Sequence, residues 1–409
     1  MPSGLRSLPT FAAFRHRNFR IFYSGYVVSL TGIWMQRVAQ SWLVLDLTGS
    51  AFYVGLIEAL GTMPVLLFTL YAGVVADRVS KHRMVIATQA FAMVVALGFA
   101  AMVWLDLATI GAIAVLAALL GVATAFDIPA RQSFFVEIVG KEDLASAIAL
   151  NASAFNATRV VGPAIAGMLI GLVGVAACFL LNGLSYIAVL AALMTMHVTS
   201  SRAPVLPSTS AWSNILEGFR YVAGEARTRV LMLNIAIMSI CGLPALTLMP
   251  VLARLELGRG AREYGWMMSA VGGGALIGAL AVATFANRMP KGRVVGWAAA
   301  LFGASVAALG FSESVLVALV ILTILGLAMI TTTALTNTLL QTLVPDGLRG
   351  RVVSVYTFSF VGMAPIGAFL GGAAAQRFGV AATLGTGGLI TMAAALGLLL
   401  RSRDLLAAR

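Results

Sequence analysis

Asp127 and Arg131 stand four residues apart in "AFDIPARQSFF", an acid followed by a base at the spacing that puts both on one face of a helix. Three more charges, Arg37, Glu58 and Arg159, also fall inside long apolar runs. A charge inside such a run is costly to keep, so each is a candidate for function. The chemistry open to them is narrow. A carboxylate can gain and lose a proton, and an arginine can hold that carboxylate or an anionic solute. Nothing suited to making or breaking bonds accompanies them. His16, His82 and His197 lie at or near the ends of runs and cannot converge on a metal. There is no H-E-x-x-H, no G-x-S-x-G turn and no G-x-x-x-x-G-K-[ST] loop. Cys178 and Cys241 belong to apolar runs and not to a disulfide framework. No enzyme, cofactor or metal site is expected.

The runs that hold these charges dominate the chain. Of 409 residues, 60% are hydrophobic and only 10% charged, too few to cover a soluble surface. Mean hydropathy is +0.97. Crossing a bilayer takes about 20 apolar residues per helix, and runs of that kind recur throughout. Twelve helical spans are expected at 19–43, 52–75, 84–104, 109–137, 144–170, 175–197, 228–250, 263–285, 294–311, 315–341, 352–373 and 380–400. The alternation that would mark a barrel is absent. "MPSGLRSLPTFAAFRHRNFR" has no short apolar core with a cleavage site, so it reads as an inner-face anchor, not a removable signal.

The distribution of Lys and Arg sets the topology. With the N-terminus inside, the inner breaks hold Arg78, Lys81, Arg83, Lys141, Arg202, Arg220, Arg227, Arg288, Lys291, Arg293, Arg349 and Arg351. The outer breaks near Asp46, Asp106, Gly174 and Glu313 hold none. Arg254, Arg259, Arg262 and Arg377 are exceptions. Both ends are therefore expected inside, and the net charge of +12 reflects topology, with no nucleic acid implied.

An internal repeat organises the spans. "YVGLIEALGTMPVLLFTLYAGVVADRVSKHRM" (53–84) lies over "YGWMMSAVGGGALIGALAVATFANRMPKGRV" (264–294), with Gly55 on Gly265, Asp77 on Asn287 and Lys81 on Lys291. "VEIVGKEDL" (136–144) echoes "LQTLVPDGL" (340–348), each before a helix with a proline, Pro163 or Pro365. The expected organisation is a six-helix bundle over 1–199, a cytoplasmic linker over 200–226 and a second six-helix bundle over 227–409. In the linker, Trp212, Ile215, Leu216, Phe219 and Val222 form one stripe, the mark of an amphipathic helix at the inner membrane surface.

Two six-helix halves joined in this way resemble the major facilitator superfamily. Gly73, Asp77, Arg78, Lys81 and Arg83 look like the signature between its second and third helices, with Ser80 where glycine is usual. "RVVGPAIAG" (159–167) is similar to the fifth-helix Gly-Pro motif of its exporters, carried by Gly162, Pro163 and Gly167. "DIPARQSFF", "NASAFNATRVVGPAIAGML" and "LDLTGSAFYVG" narrow the resemblance to the branch of the enterobactin exporter and macrolide-efflux proteins. The resemblance implies an all-α membrane protein that works by alternating access, most often driven by protons, as a monomer in a bacterial inner membrane. It makes Asp77 a latch against the start of the eleventh helix near Gly350–Val352, and Gly162-Pro163 a bend that closes on "GGGALIGA" (272–279) of the eighth.

The embedded charges then take roles. An acid that carries protons must change protonation during the cycle; cationic neighbours favour the carboxylate, and losing them in a dry setting favours the acid. Rise along the helices puts Arg37 level with Glu58, and Asp127 level with Arg159. Asp127 is expected to be the coupling acid and Arg159 the partner drawn away from it; Glu58 is the second candidate. Gln36, Asn151, Asn156, Asn234, Thr332, Asn337 and Tyr356 are expected to line the cavity. Three arginines against two acids in the first half, and neutral groups in the second, favour an anionic or neutral amphipathic solute over a lipophilic cation. The expected function is proton-coupled export of a drug, siderophore or metabolite. The alternatives are a proton symporter for a polar metabolite and a scramblase or receptor on the same scaffold.

Overall fold

A chain this apolar can hide its backbone N–H and C=O groups from lipid only by bonding them within each segment. A computed structural model describes residues 9–196 and 211–401, and these are helical almost throughout, with no strand among them. The first helices are α1 (Arg17–Thr48), α2 (Ala51–Arg78), α3 (Lys81–Trp104), α4 (Ile110–Val139), α5 (Leu144–Val173) and α6 (Val175–Met194). Then come a short α7 (Ala211–Gly224) and the long α8 (Ala226–Glu256), α9 (Ala261–Phe285), α10 (Lys291–Leu309), α11 (Val315–Leu343), α12 (Asp346–Phe378) and α13 (Val380–Arg401). Among the described residues, eleven helices are long and apolar enough to cross a membrane. α1 has the length, 32 residues, but carries Arg20, Gln36, Arg37 and Asp46 and is more polar than the rest. With α1 included, the order follows the twelve expected spans.

The turns between helices are tight, and glycine makes them possible. Gly49 after α1 and Gly258 after α8 adopt φ of 59° and 61°; Gly174 after α5 and Gly379 after α12 adopt 87° and 86°. Side-chain-bearing residues rarely take such angles. The two pairs stand at corresponding places in the repeat, so the repeat is visible in the backbone. Ser80 caps α3, accepting from the Arg83 amide at 3.4 Å, and Thr109 caps α4, accepting from Ala112 at 3.3 Å.

The described helices form two compact units. The first takes in 9–43 and 60–196. Its core is aromatic near the N-terminal end of α1, where Phe19, Phe22, Tyr26, Phe134 and Phe135 pack on one another. A 3-10 turn at Pro9–Arg15 is tied to α5: the Ala13 amide donates to Ser146 at 3.0 Å, and His16 pairs with Asp143 at 2.8 Å.

The second unit takes in 44–59 and 211–401, so the end of α1 and the start of α2 group with the later helices. Asp46 pairs with Arg254 at 2.5 Å, and a Cβ on Gly55 would lie 2.8 Å from the Gly372 backbone. α9 and α11 approach along glycines: Gly274 faces the Thr323 carbonyl, and Gly326 the Val271 carbonyl. α7 rests on the start of α12, with Glu217 paired to Arg351 and Phe219 against Phe358. α8 and α12 are not uniform. Each contains a wider π turn, at Met238–Gly242 and Phe358–Gly362, and α8 has another at Leu252–Glu256. The first two are bonded together, the Ser239 hydroxyl donating to the Phe360 carbonyl at 2.7 Å. The linker expectation over 200–226 is described only from 211 onward; residues 200–210 lie outside the described residues.

Candidate functional site

Asp127 lies on α4 at the centre of a polar knot in the first unit. Its Oδ2 accepts from Arg131 Nε at 3.0 Å, one helical turn along. Its Oδ1 accepts from the Gln89 amide at 2.8 Å and lies 3.1 Å from the Thr88 hydroxyl, both on α3. The single Thr88 proton is shared with the Val85 carbonyl at 3.0 Å. Arg131 in turn reaches the Tyr26 hydroxyl on α1, and its guanidinium sits 4.8 Å from the centre of the Tyr26 ring. Both side chains are mostly covered, at 18% and 14% exposure for Arg131 and Asp127. Every partner of the carboxylate is a donor, the setting a carboxylate needs in a low-dielectric interior, where such hydrogen bonds are each worth about 1.5–3 kcal/mol.

Arg159 is elsewhere. On α5 it lies over Trp34 of α1, its guanidinium carbon 5.7 Å from the ring centre, and Arg37 lies 5.4 Å from the same ring. Phe155 meets Trp34 edge-on at 5.3 Å. Of the two cations expected beside Asp127, Arg131 is there and Arg159 is not. Rise gives the height of a residue in the membrane, but the direction its side chain points decides its neighbours. Glu58 lies half-buried on α2.

The motif at the end of α2 divides. Lys81 pairs with Glu137 of α4 at 3.7 Å, inside its own unit. Next to it, His82 Nε2 is 2.9 Å from the Leu193 carbonyl, and its ring stacks on Phe134. Arg78 and Arg83 are exposed, and a Cβ on Gly73 would meet nothing within 4 Å. Asp77 falls in the last turn of α2, and its side chain lies outside the described residues.

Gly162 meets α1 of its own unit. A Cβ there would sit 2.6 Å from Trp34 Cβ and 3.0 Å from the Thr31 carbonyl, so the residue is small to admit α1. Pro163 and Gly167 are buried in the same helix. In the second unit, Gly274 and Gly278 of α9 pack on α11, while a Cβ on Gly273 would meet nothing within 4 Å.

Several expected cavity residues are committed to the protein itself. Thr332 is fully buried and donates to the Ala328 carbonyl at 2.8 Å. Gln36 is buried and accepts from Asn182 at 2.5 Å; Asn156 donates to the Ala152 carbonyl at 2.8 Å. Asn337 accepts from Gln341 at 3.2 Å, and the Tyr356 hydroxyl donates to the Thr333 carbonyl at 3.0 Å. A hydroxyl or amide in a helix has its own carbonyls within reach, which is why polarity alone misleads here. Asn151 Oδ1 and both amide atoms of Asn234 are buried with no bonding partner. Sequence reasoning missed Thr88, Gln89, Tyr26 and Glu137. Gln89 was the findable one, as the lone amide in α3.

Comparison with known proteins gives this geometry its setting. The family described as transmembrane secretion effector matches residues 8–407. The chain is 23% identical to the staphyloferrin A transporter of Staphylococcus aureus, covering 91% of this chain and 93% of that one. It is 27% identical to the multidrug efflux pump Tap of Mycolicibacterium fortuitum, covering 85% and 86%. It is 24% identical to the enterobactin exporter EntS of Shigella boydii, covering 91% and 89%. Among solved structures it is similar to a bacterial homologue of the iron transporter ferroportin in an inward-facing state (TM-score 0.72, 16% identity, 96% of this chain and 99% of that one). It is similar also to the nucleoside transporter NupG (TM-score 0.76, 9% identity, 95% and 99%). The structural likenesses speak for the fold alone. The family match spans nearly the whole chain, and the fold agrees with it. This multi-pass membrane protein belongs to the transmembrane secretion effector family, within the major facilitator superfamily of transporters.

Proposed function

We propose that the chain is a secondary active exporter that moves a small amphipathic organic molecule outward by alternating access, in exchange for protons, with Asp127 as the acid that carries them. The observation behind this reading is the knot at Asp127. One acid is held by donors from α3 and by Arg131 of its own helix, and Arg131 is held in turn by Tyr26 of α1. A shift among three helices would alter every one of these contacts. When Arg131 and Gln89 are drawn off, the carboxylate is left in a dry interior, where taking up a proton is the cheaper state. Arg131 thus takes the role first expected of Arg159. The outward direction is supported by the printed names of two relatives, an enterobactin exporter and a multidrug efflux pump.

In this reading, 1–199 and 227–409 act as the two halves, with 200–226 as the cytoplasmic linker. The protein is a monomer in a bacterial inner membrane with both termini cytoplasmic, as the Lys and Arg distribution supports. The substrate is sought by thermal shift of the purified protein against drugs, siderophores and metabolites, since binding to the folded state raises its melting temperature. With a substrate in hand, solute-driven proton movement in proteoliposomes tests the coupling. Asp127→Asn should abolish proton movement while substrate exchange survives, and Glu58→Gln should leave both intact. Proton movement that persists in Asp127→Asn and vanishes in Glu58→Gln would transfer the role to Glu58.

A further inference from the structure

Arg159 is 8% exposed, and among the described residues it makes no hydrogen bond and no ion pair. Arg131, on the neighbouring helix, shows the ordinary arrangement: a guanidinium in a membrane span with a carboxylate at 3.0 Å. Arg159 has an aromatic ring instead. Trp34 covers one face of it at 5.7 Å, but a guanidinium carries five N–H donors around its edge, and a ring face satisfies none of them. The same indole has a buried Nε1–H without a partner. Arg37 brings a second positive charge to that ring, at 5.4 Å. Positive charge gathers at this ring, and neither the Arg159 guanidinium nor the Trp34 N–H has an acceptor among the described residues.

The surroundings say what shape of acceptor would fit. Trp34 and Phe155 meet edge-on at 5.3 Å, and Phe155 keeps 42% of its surface exposed. An aromatic wall therefore runs from the buried guanidinium out to an open edge. A planar guanidinium matches a carboxylate through two parallel hydrogen bonds, and a ring wall suits a flat apolar body. We propose that Arg159 and Trp34 form an anion-recognition subsite that receives the carboxylate of a flat, amphipathic organic anion, with Phe155 bordering its ring. The transport of that anion rests on the exporter reading above; its binding does not.

The test uses the full chain in lipid nanodiscs with three probes that share one ring system: 1-naphthoate, 1-naphthamide and 1-naphthylmethylammonium. Naphthoate should bind and raise the melting temperature, and the amide and the ammonium should not. Arg159→Gln should weaken naphthoate by about tenfold or more, and Arg159→Lys, which keeps the charge but loses the fork, by an intermediate factor. Trp34→Phe, which keeps a ring and loses the N–H, should weaken it by about threefold. Without ligand, Arg159→Gln should melt no lower than the parent, because it removes a buried charge that has no partner. A lower melting temperature in Arg159→Gln would make Arg159 a structural pin and overturn the proposal. So would naphthoate binding that ignores Arg159, or equal binding of all three probes. Arg159-dependent binding of naphthoate without its movement in proteoliposomes would keep the subsite and sink the exporter reading. Movement that ignores Arg159 would do the reverse.

Discussion

Within the knot on α4, Asp127 has one cationic partner and neutral donors besides, so the two members of the ion pair are not equally dispensable. Arg131→Gln leaves a carboxylate in a membrane span without its cation, and breaking a buried pair from one side costs about 3–5 kcal/mol. Adding Asp127→Asn removes the stranded charge. The double variant should therefore be more stable than Arg131→Gln alone, and thermal unfolding of the four proteins of the cycle measures it. A double variant that melts below Arg131→Gln would mean that the pair is not held by charge. Much of this knot was legible. The four-residue spacing of Asp127 and Arg131 puts them on one face, and they do pair. Thr88 and Gln89 arrive from 39 and 38 positions away, and a neutral polar side chain in a span is a fainter signal than a charge. Arg159 was given the wrong neighbour because each residue turns a helix by about 100°, so equal height leaves the facing side open.

Helix contacts in this protein are set by which glycine faces which backbone, and neighbouring glycines can differ completely. A Cβ on Gly274 would run into the Thr323 carbonyl of α11; on Gly273 it would meet nothing within 4 Å. Gly274→Ala should destabilise by about 1–3 kcal/mol, while Gly273→Ala should be neutral or stabilising by up to about 1 kcal/mol through helix propensity. Melting both variants in one lipid composition decides the matter, and equal melting temperatures would remove α9–α11 packing as the cause. Gly162→Ala belongs with Gly274, because Trp34 Cβ stands 2.6 Å from where the methyl group would go. Gly162→Leu should abolish transport, because it forces α1 and α5 apart within one unit. The sequence marked these glycines as contact residues. It had no means of naming the partner helix, because a small side chain looks the same to every neighbour.

At the scale of the whole chain, apolar run length was enough to read the helix order, and the likeness of 53–84 to 264–294 was enough to read the repeat. Three of the four arginines that broke the charge rule have local partners: Arg254 pairs with Asp46 at 2.5 Å, Arg262 lies 4.5 Å from the Trp266 ring centre, and Arg377 lies 5.7 Å from that of Phe378. The grouping of 44–59 with the later helices was not legible, since it depends on contacts between segments far apart in sequence. For the cycle we propose that Asp77 acts as a latch on the start of α12. A carboxylate at a helix N-terminus is worth about 0.3–1 kcal/mol, and up to ~2 when partly buried, enough to tilt a two-state equilibrium about 5- to 30-fold at the upper end. Asp77→Asn should cut the export rate by a factor in that range while melting within a few degrees of the parent. Normal export by that variant would leave Asp77 as a charge at a helix end.

The wide turns in α8 and α12 also bear on how this chain can change its length. Each stores one residue more than regular α pitch requires, much as a dislocation stores an extra row in a crystal. Deleting a residue from an ordinary stretch of α12 rotates everything beyond it by about 100° and turns its packed face toward lipid. Deleting the exposed Val361 from within Phe358–Gly362 instead lets the turn relax to α pitch, with both flanks still facing as they did. The same holds for Met238–Gly242. The membrane part of this chain therefore has built-in places where a residue can be lost without re-registering a helix, and family members that differ in length inside these two spans would differ there.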